Sequence, residues 1–204
     1  MDIQANLLYS RPNFVAKPYG WIQHIPFAFF LIEKLKPTIF VELGTHSGNS
    51  YFSFCQAVEE LKIATKCYAV DTWEGDEHAS FYDKNVFKRV KSINDEHFNR
   101  VSSLLKMTFD DALAYFNDQT VDLLHIDGLH TYEAVKHDFD TWLPKLSKQG
   151  VVIFHDTNVR DRGFGVWKFW EELREKYISF DFVHGNGLGV LCVGDSVDED
   201  FVSF

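Results

Sequence analysis

The chain has 204 residues, a hydrophobic fraction of 46% and a formal net charge of −10. That length suits one α/β domain with a full core, and the acidic balance argues against nucleic acid or an anionic membrane as the main partner, since both select a basic surface. The start, Met1-Asp-Ile-Gln4, has no basic region or long apolar run, and no stretch reaches the roughly twenty apolar residues of a membrane span, so a soluble, cytoplasmic protein is expected.

Residues 1–37 read as a lead-in and a helix. Pro12 and Pro18 interrupt regular structure, and a helix over 22–35 is closed by Pro37. From there to residue 193 strands alternate with helices. The strands are expected at 39–43, 67–71, 103–107, 121–126 and 150–154, and the helices at 49–62, 80–98, 109–117, 131–143 and 165–177. Stripes such as Tyr132, Val135, Phe139 and Trp142 carry the helix assignments. Alternation of this kind implies a parallel sheet covered on both faces. Residues 180–183 and 188–193 then form two strands joined by His184-Gly-Asn-Gly187, too short for a parallel crossover, so they pair antiparallel. The expected fold class is α/β, a Rossmann-like doubly wound, mostly parallel seven-stranded sheet with an antiparallel C-terminal hairpin. All 204 residues form a single domain with its core at 38–193. Cys55, Cys67 and Cys192 fall on apolar faces and read as small core residues rather than disulfide or metal ligands.

The most informative stretch is Phe40-Val-Glu-Leu-Gly-Thr-His-Ser-Gly-Asn-Ser50, an apolar strand entering a two-glycine loop and then a helix. In an open α/β sheet this junction lies at the carboxyl edge, where ligands bind. Cys67-Tyr-Ala-Val-Asp71 ends the next strand in an acid, the usual position of a carboxylate that grips a ribose diol, so a nucleoside-containing cofactor is expected. The pattern Glu42-x-Gly44-x-x-x-Gly48 lacks the spacing of a dinucleotide loop and the lysine of a phosphate loop. Its strand acid would repel a pyrophosphate but suits a cofactor with an amino group and a sulfonium. In this form it resembles the first motif of class I S-adenosylmethionine-dependent methyltransferases.

Further along, Leu123-Leu-His-Ile-Asp-Gly-Leu-His-Thr-Tyr-Glu133 places Asp127 at the end of the fourth strand and His130 beside the next helix, and Val151-Val-Ile-Phe-His-Asp-Thr157 places His155 and Asp156 at the end of the fifth. Asp71, Asp127 and Asp156 therefore converge on one rim. Two of them with a hydroxyl would suit Mg²⁺ or Mn²⁺, and a histidine there would suit a base. The plainer reading of each acid is a helix N-cap. His24, His78, His97 and His137 read as surface or helix-face residues, His125 as a core histidine and His46 as a cofactor-loop contact.

These motifs, with Asp138, Trp142, Pro144, Gly150 and Gly165-Val-Trp-Lys-Phe-Trp-Glu-Glu-Leu173, look like the small methyltransferase branch associated with bacterial glycosyltransferases, over about 38–193. The resemblance implies S-adenosylmethionine held by Glu42, Gly44, Thr45, His46, Ser47, Gly48 and Ser50, with Asp71 on the ribose and Trp73 near the adenine. Asp110 or Asp111 would reach the adenine amino group, and Asp127 would border the cofactor. Related cation-dependent O-methyltransferases hold a metal with acids matching Asp127 and Asp156 and an Asn where this chain has Thr157. A hydroxyl nucleophile is weak at neutral pH, and Asp127, His130, His155 and Asp156 are the candidate catalytic residues. The implied acceptor is a small hydroxylated molecule such as a sugar. The aromatic segment Trp73 to Phe87, with Phe81 and Tyr82, reads equally as a wall of the acceptor pocket or as a helix packed on the sheet. Likewise Trp21, Phe27, Phe29 and Phe30 suit either self-association or burial against the chain's own sheet. A metal-dependent hydrolase or hydroxylase on the same fold, and a non-catalytic accessory domain of a glycosyltransferase, are the competing functions.

Overall fold

The computed structural model describes residues 7, 9–76, 78, 80, 81, 83, 85–197 and 201. Parallel strands β1 (Ile39–Leu43), β2 (Lys66–Asp71), β5 (Ser102–Lys106), β6 (Val121–Ile126) and β7 (Leu146–His155) are joined by β8 (Ile178–Phe182) and β9 (Leu188–Cys192) in the order β5-β2-β1-β6-β7-β9-β8. The last two run antiparallel, β9 against β7 and β8 against β9. This is the expected seven-stranded sheet. Its central strands are covered on both faces, and alternate residues go to opposite cores. Phe40, Leu123, Val151 and Ile153 pack with α1 (Ile25–Leu35) and α2 (Asn49–Leu61). Val41, Leu124, Val152 and Phe154 pack with α5 (Tyr132–Trp142) and α6 (Val166–Arg174). The three cysteines are free and buried.

Several boundaries differ from expectation. The helix expected over 80–98 begins only at α3 (Asn85–Ile93), because β3 (Gly75–Asp76) and β4 (Ser80–Phe81) form a short antiparallel ladder before it. The Asp83 side chain then accepts the Asn85 N–H at 3.0 Å, and Asn94–Phe98 continues as a π-helix. Tyr82, expected either in that helix or on the acceptor wall, lies outside the described residues. The helix expected over 109–117 holds as α4 (Phe109–Ala112) and one 3₁₀ turn. Phe116 turns extended and packs its ring 5.2 Å from Trp142. β7 starts four residues early, where the polar Ser147-Lys-Gln149 hides the strand from any apolar pattern.

The N-terminal helix opens with a 3₁₀ turn, Ile22–His24, and Pro26 stands in the first turn of α1, where a missing N–H costs nothing. Trp21, Phe27, Phe29 and Phe30 are all buried in the chain's own core. Ahead of it, the Asn49 amide donates to Ala16 O and Pro18 O and its carbonyl accepts the Ala16 N–H, tying residues 16–18 to the start of α2. No helix among the described residues is long and apolar enough to cross a membrane.

Candidate active site

The loop after β1 is built around contacts that only glycine permits. Gly44 has φ +88°, and a Cβ there would lie 2.1 Å from the Asp127 carbonyl oxygen. Gly48, at φ +85°, caps α2 against the Phe52 ring. Asp71, at the end of the neighbouring strand, fixes the loop from the side. Its Oδ2 accepts the Thr45 and His46 N–H groups at 2.9 and 2.8 Å, and its Oδ1 accepts the Trp73 N–H at 2.6 Å. Burial pushes the Asp71 pKa up against the lowering effect of those N–H groups. Each carboxylate oxygen accepts about two hydrogen bonds, so Oδ1 retains capacity for a hydroxyl. His46 and Trp73 have φ +47° and +52°. Such left-handed non-glycine residues collect where backbone strain is tied to function. The Thr45 hydroxyl is buried and has no hydrogen-bond partner among the described residues.

One strand further along, four ionisable side chains interlock. His130 Nε2 lies 2.9 Å from Asp156 Oδ2 and 3.4 Å from Asp127 Oδ1. His155 Nδ1 lies 3.2 Å from Asp127 Oδ1 and 3.5 Å from Asp156 Oδ2. Its Nε2 sits 3.0 Å from the Gly185 carbonyl, which can only accept, so Nε2 carries a hydrogen. Burial favours neutral forms here, but pairing wins. The two carboxylates lift His130 to about 9 and His155 well above its usual value. Against the same burial, the imidazoles hold Asp156 at about 2 and Asp127 well below the carboxylate range. At neutral pH the cluster is two imidazolium–carboxylate pairs. Asp156 takes φ +60°, and its Oδ1 is buried without a hydrogen-bond partner among the described residues. Ligand atoms of Asp127, His130 and Asp156 all lie within 4.8 Å of one another, a spacing that one metal ion can bridge.

Behind the wall runs a second relay. The Trp21 indole N–H donates to His125 Nε2 at 3.1 Å, and His125 Nδ1–H donates to Glu42 Oε2 at 2.8 Å. Glu42 is fully buried, and burial raises its pKa. It stands beneath the loop rather than on a cavity wall.

Two cavities meet at Gly44, Asp127 and His130. One, of about 440 Å³, is lined by Asp71, Thr72, Gly75, Thr108, Phe109, Gly128 and Leu129. The other, of about 270 Å³, runs past Thr45, His46, Ser47 and Ser50 to His155, Asp156 and Trp21. Most expected site residues therefore share one surface. Besides Glu42 and Gly48, which line neither cavity, four expected residues are placed elsewhere. Trp73 packs 4.7 Å from Phe87 in the core and donates its indole N–H to His46 O. Asp110 faces outward to His137 at 2.9 Å. Asp111 bonds the Thr108 hydroxyl that caps α4. Thr157 is buried against Gly187. His24 is buried rather than at the surface, bonded to Gly185 O, and His78 lines the smaller cavity. Trp21, expected in the core or at an interface, lines the smaller cavity, as do Asn49, Arg162, Phe164 and Asn186, while Phe109 lines the larger; none of these was expected at the site from sequence. Arg162 follows closely after the His155-Asp-Thr157 motif, a position that marks it as a candidate for the rim.

Comparison with known proteins agrees with this geometry. The Methyltransferase domain family matches residues 41–157, from the first strand through the second acid and its Thr. The uncharacterized protein y4gI of Sinorhizobium fredii is 49% identical over 95% of this chain, and the chain spans 21% of that relative's length. Among solved structures, SAH-bound methyltransferase PaMTH1 of Podospora anserina aligns with TM-score 0.62 and 13% identity, covering 88% of this chain and 90% of that one. The O-methyltransferase TomG of Streptomyces achromogenes, in complex with SAM, aligns with TM-score 0.61 and 15% identity, covering 94% and 86%. The match over the loop, both cavity edges and the acid cluster identifies this chain as a member of the Methyltransferase domain family.

Proposed function

We propose that the protein transfers a methyl group from S-adenosylmethionine to a hydroxyl of a small acceptor, with sugars the first class to test. The observation that carries this reading is the junction at Asp127. Its carbonyl presses on Gly44 of the loop, and its carboxylate heads the imidazole–carboxylate cluster. A nucleoside cleft and a cluster able to manage a hydroxyl proton therefore share one residue. S-Adenosylmethionine supplies a methyl on a sulfonium, and its transfer is an in-line displacement that depends chiefly on positioning. The residues fit the cofactor. Asp71 Oδ1 would take a ribose hydroxyl, the unpartnered Thr45 hydroxyl would take a polar group of the ligand, and Phe109, in place of Trp73, would flank the base.

As paired, neither imidazole is a base at neutral pH. Two carboxylate oxygens and one imidazole nitrogen, with a spare buried Asp156 Oδ1, suit a divalent cation, and the nitrogen favours Mn²⁺ over Mg²⁺. In this reading Asp127, His130 and Asp156 would hold the ion, and Thr157 would stand aside. Bound there, a cation lowers the pKa of a coordinated hydroxyl. With both carboxylates engaged by the cation, His155 would give up its Nδ1 proton to solvent, and that nitrogen, its ring held through Nε2–H to Gly185 O, would accept the proton of the hydroxyl.

The test is transfer of a labelled methyl group from S-adenosylmethionine to a panel of hydroxylated acceptors, with Mn²⁺ or with EDTA. Transfer that needs Mn²⁺ and is lost in Asp127→Asn supports the assignment. Tight cofactor binding without transfer to any acceptor would favour an accessory role beside a glycosyltransferase.

A further inference from the structure

The loop between β7 and α6 leaves the cluster at Asp156 and returns at Gly165, whose N–H donates to the His130 carbonyl at 2.7 Å. Its other end is equally fixed, with the Asn158 N–H donating to Asn186 O and the Val159 N–H to Asp156 O. Between these anchors Val159 and Phe164 are buried, while Arg160 and Arg162 are exposed. The loop is thus anchored at both ends, with its two arginines exposed between the anchors.

Both are stacked on aromatic rings. Arg162 lies 4.6 Å from the Phe164 ring centre, and Phe164 in turn stacks on His130 at 4.5 Å and 10°. Arg160 lies 4.5 Å from the Trp167 ring, with the Lys168 ammonium 5.5 Å from the same ring. Stacking fixes a guanidinium and leaves its N–H edge free for an anion. Arg162 has one acid beside it, Asp161 at 3.2 Å, in an exposed pair of little strength. Arg160 and Lys168 make no ion pair among the described residues.

Their position gives the cations a use. Among the described residues, Arg162 is the only lysine or arginine on the wall of the smaller cavity, which His130 and Asp156 also line. It also lines an open groove of about 490 Å³ with Arg160, Lys168 and Trp167, where Glu133 and Asp161 are the acids present. Three cations in nine residues, in a chain of net charge −10, line a groove that shares Arg162 and Phe164 with the smaller cavity.

Resting on the methyl-transfer reading above, we propose that Arg162, Arg160 and Lys168 form an anion subsite, and that the hydroxylated acceptor carries a phosphate or diphosphate ester. The Arg162–Phe164–His130 stack would set the distance from the anion to the hydroxyl being methylated. Three cations along one groove fit the several oxygens of a phosphate or diphosphate better than a single carboxylate, which one arginine satisfies.

The test is calorimetric titration of the full chain with inorganic pyrophosphate in metal-free buffer, with and without S-adenosylhomocysteine, for wild type, Arg162→Ala, Arg162→Lys and the double variant Arg160→Ala/Lys168→Ala. The expected result is saturable binding by wild type, weakened at least about tenfold in Arg162→Ala and in the double variant and partly restored in Arg162→Lys. S-Adenosylhomocysteine affinity should be the same in all four proteins, which shows that each remains folded. No pyrophosphate binding by wild type, equal binding by all four proteins, or succinate binding as tightly as pyrophosphate would overturn the proposal. Pyrophosphate binding without S-adenosylhomocysteine binding would retain the subsite and sink the methyl-transfer reading instead.

Discussion

Asp138 gives a test that separates electrostatics from packing. It lies on α5 near Gly128, buried, and no described residue donates a hydrogen bond to its carboxylate. Burial, opposed by His137 and assisted by Asp110, raises its pKa from 3.8 to about 7. The folded state therefore holds a proton on Asp138 that the unfolded chain releases near pH 4. A raised carboxyl contributes its full stability below the unfolded value and loses it as pH climbs toward the folded one. By linkage, Asp138 weakens the protein by about 2 kcal/mol at pH 5 and about 4 kcal/mol at pH 8, relative to strongly acid conditions. Asp138→Asn has no such dependence. Whatever fixed cost the amide brings, the variant should gain about 2–3 kcal/mol on wild type between pH 5 and pH 8. In urea unfolding that is a relative midpoint shift on the order of 1 M. A variant-minus-wild-type difference that stays constant from pH 5 to pH 8 would refute a buried, protonated Asp138.

Three further substitutions probe the site itself. Gly44→Ala should weaken S-adenosylhomocysteine binding at least about tenfold by calorimetry, since a left-handed alanine costs about 1–2 kcal/mol before its Cβ meets the Asp127 carbonyl; unchanged affinity would contradict the close approach. Thr45→Val should act in opposite directions, stabilising the free protein by about 1 kcal/mol through loss of an unpartnered buried hydroxyl while weakening the ligand. Equal affinity in calorimetry would remove Thr45 from the contact set. Trp21→Phe should cost about 1–3 kcal/mol in urea unfolding by leaving His125 Nε2 buried without its donor, and a neutral result would show that the relay tolerates a gap.

The sheet was legible because its signals are local. Strands buried on both faces read as continuous apolar runs, and the four-residue link at His184–Gly187 allows only an antiparallel return. What failed was equally physical. Ser147-Lys-Gln149 lies in a register shift of the β6–β7 ladder, between the Val121–Leu146 and Leu123–Val151 pairs, and has no apolar pattern, and the β3–β4 ladder rests on only two residue pairs. In the site, the order of strand ends was enough to bring Asp71, Asp127 and Asp156 to one rim. Side-chain direction was not legible. Trp73 and Phe109 both follow strand ends, yet Trp73, at φ +52°, packs into the core while Phe109 lines the cavity. His24 and Trp21 reach the site from an N-terminal segment whose path over α2 depends on the Asn49 and Gln56 side chains. Contacts across that sequence separation leave no periodicity to read.

The most direct test of the central claim is thermal unfolding of the wild-type chain with and without S-adenosylhomocysteine. At about a hundred times its dissociation constant the ligand adds roughly 2.7 kcal/mol, a rise of roughly 5–11 °C for a domain of this size. The account predicts that rise, and its loss in Asp71→Ala. An unchanged melting temperature at saturating ligand would contradict it.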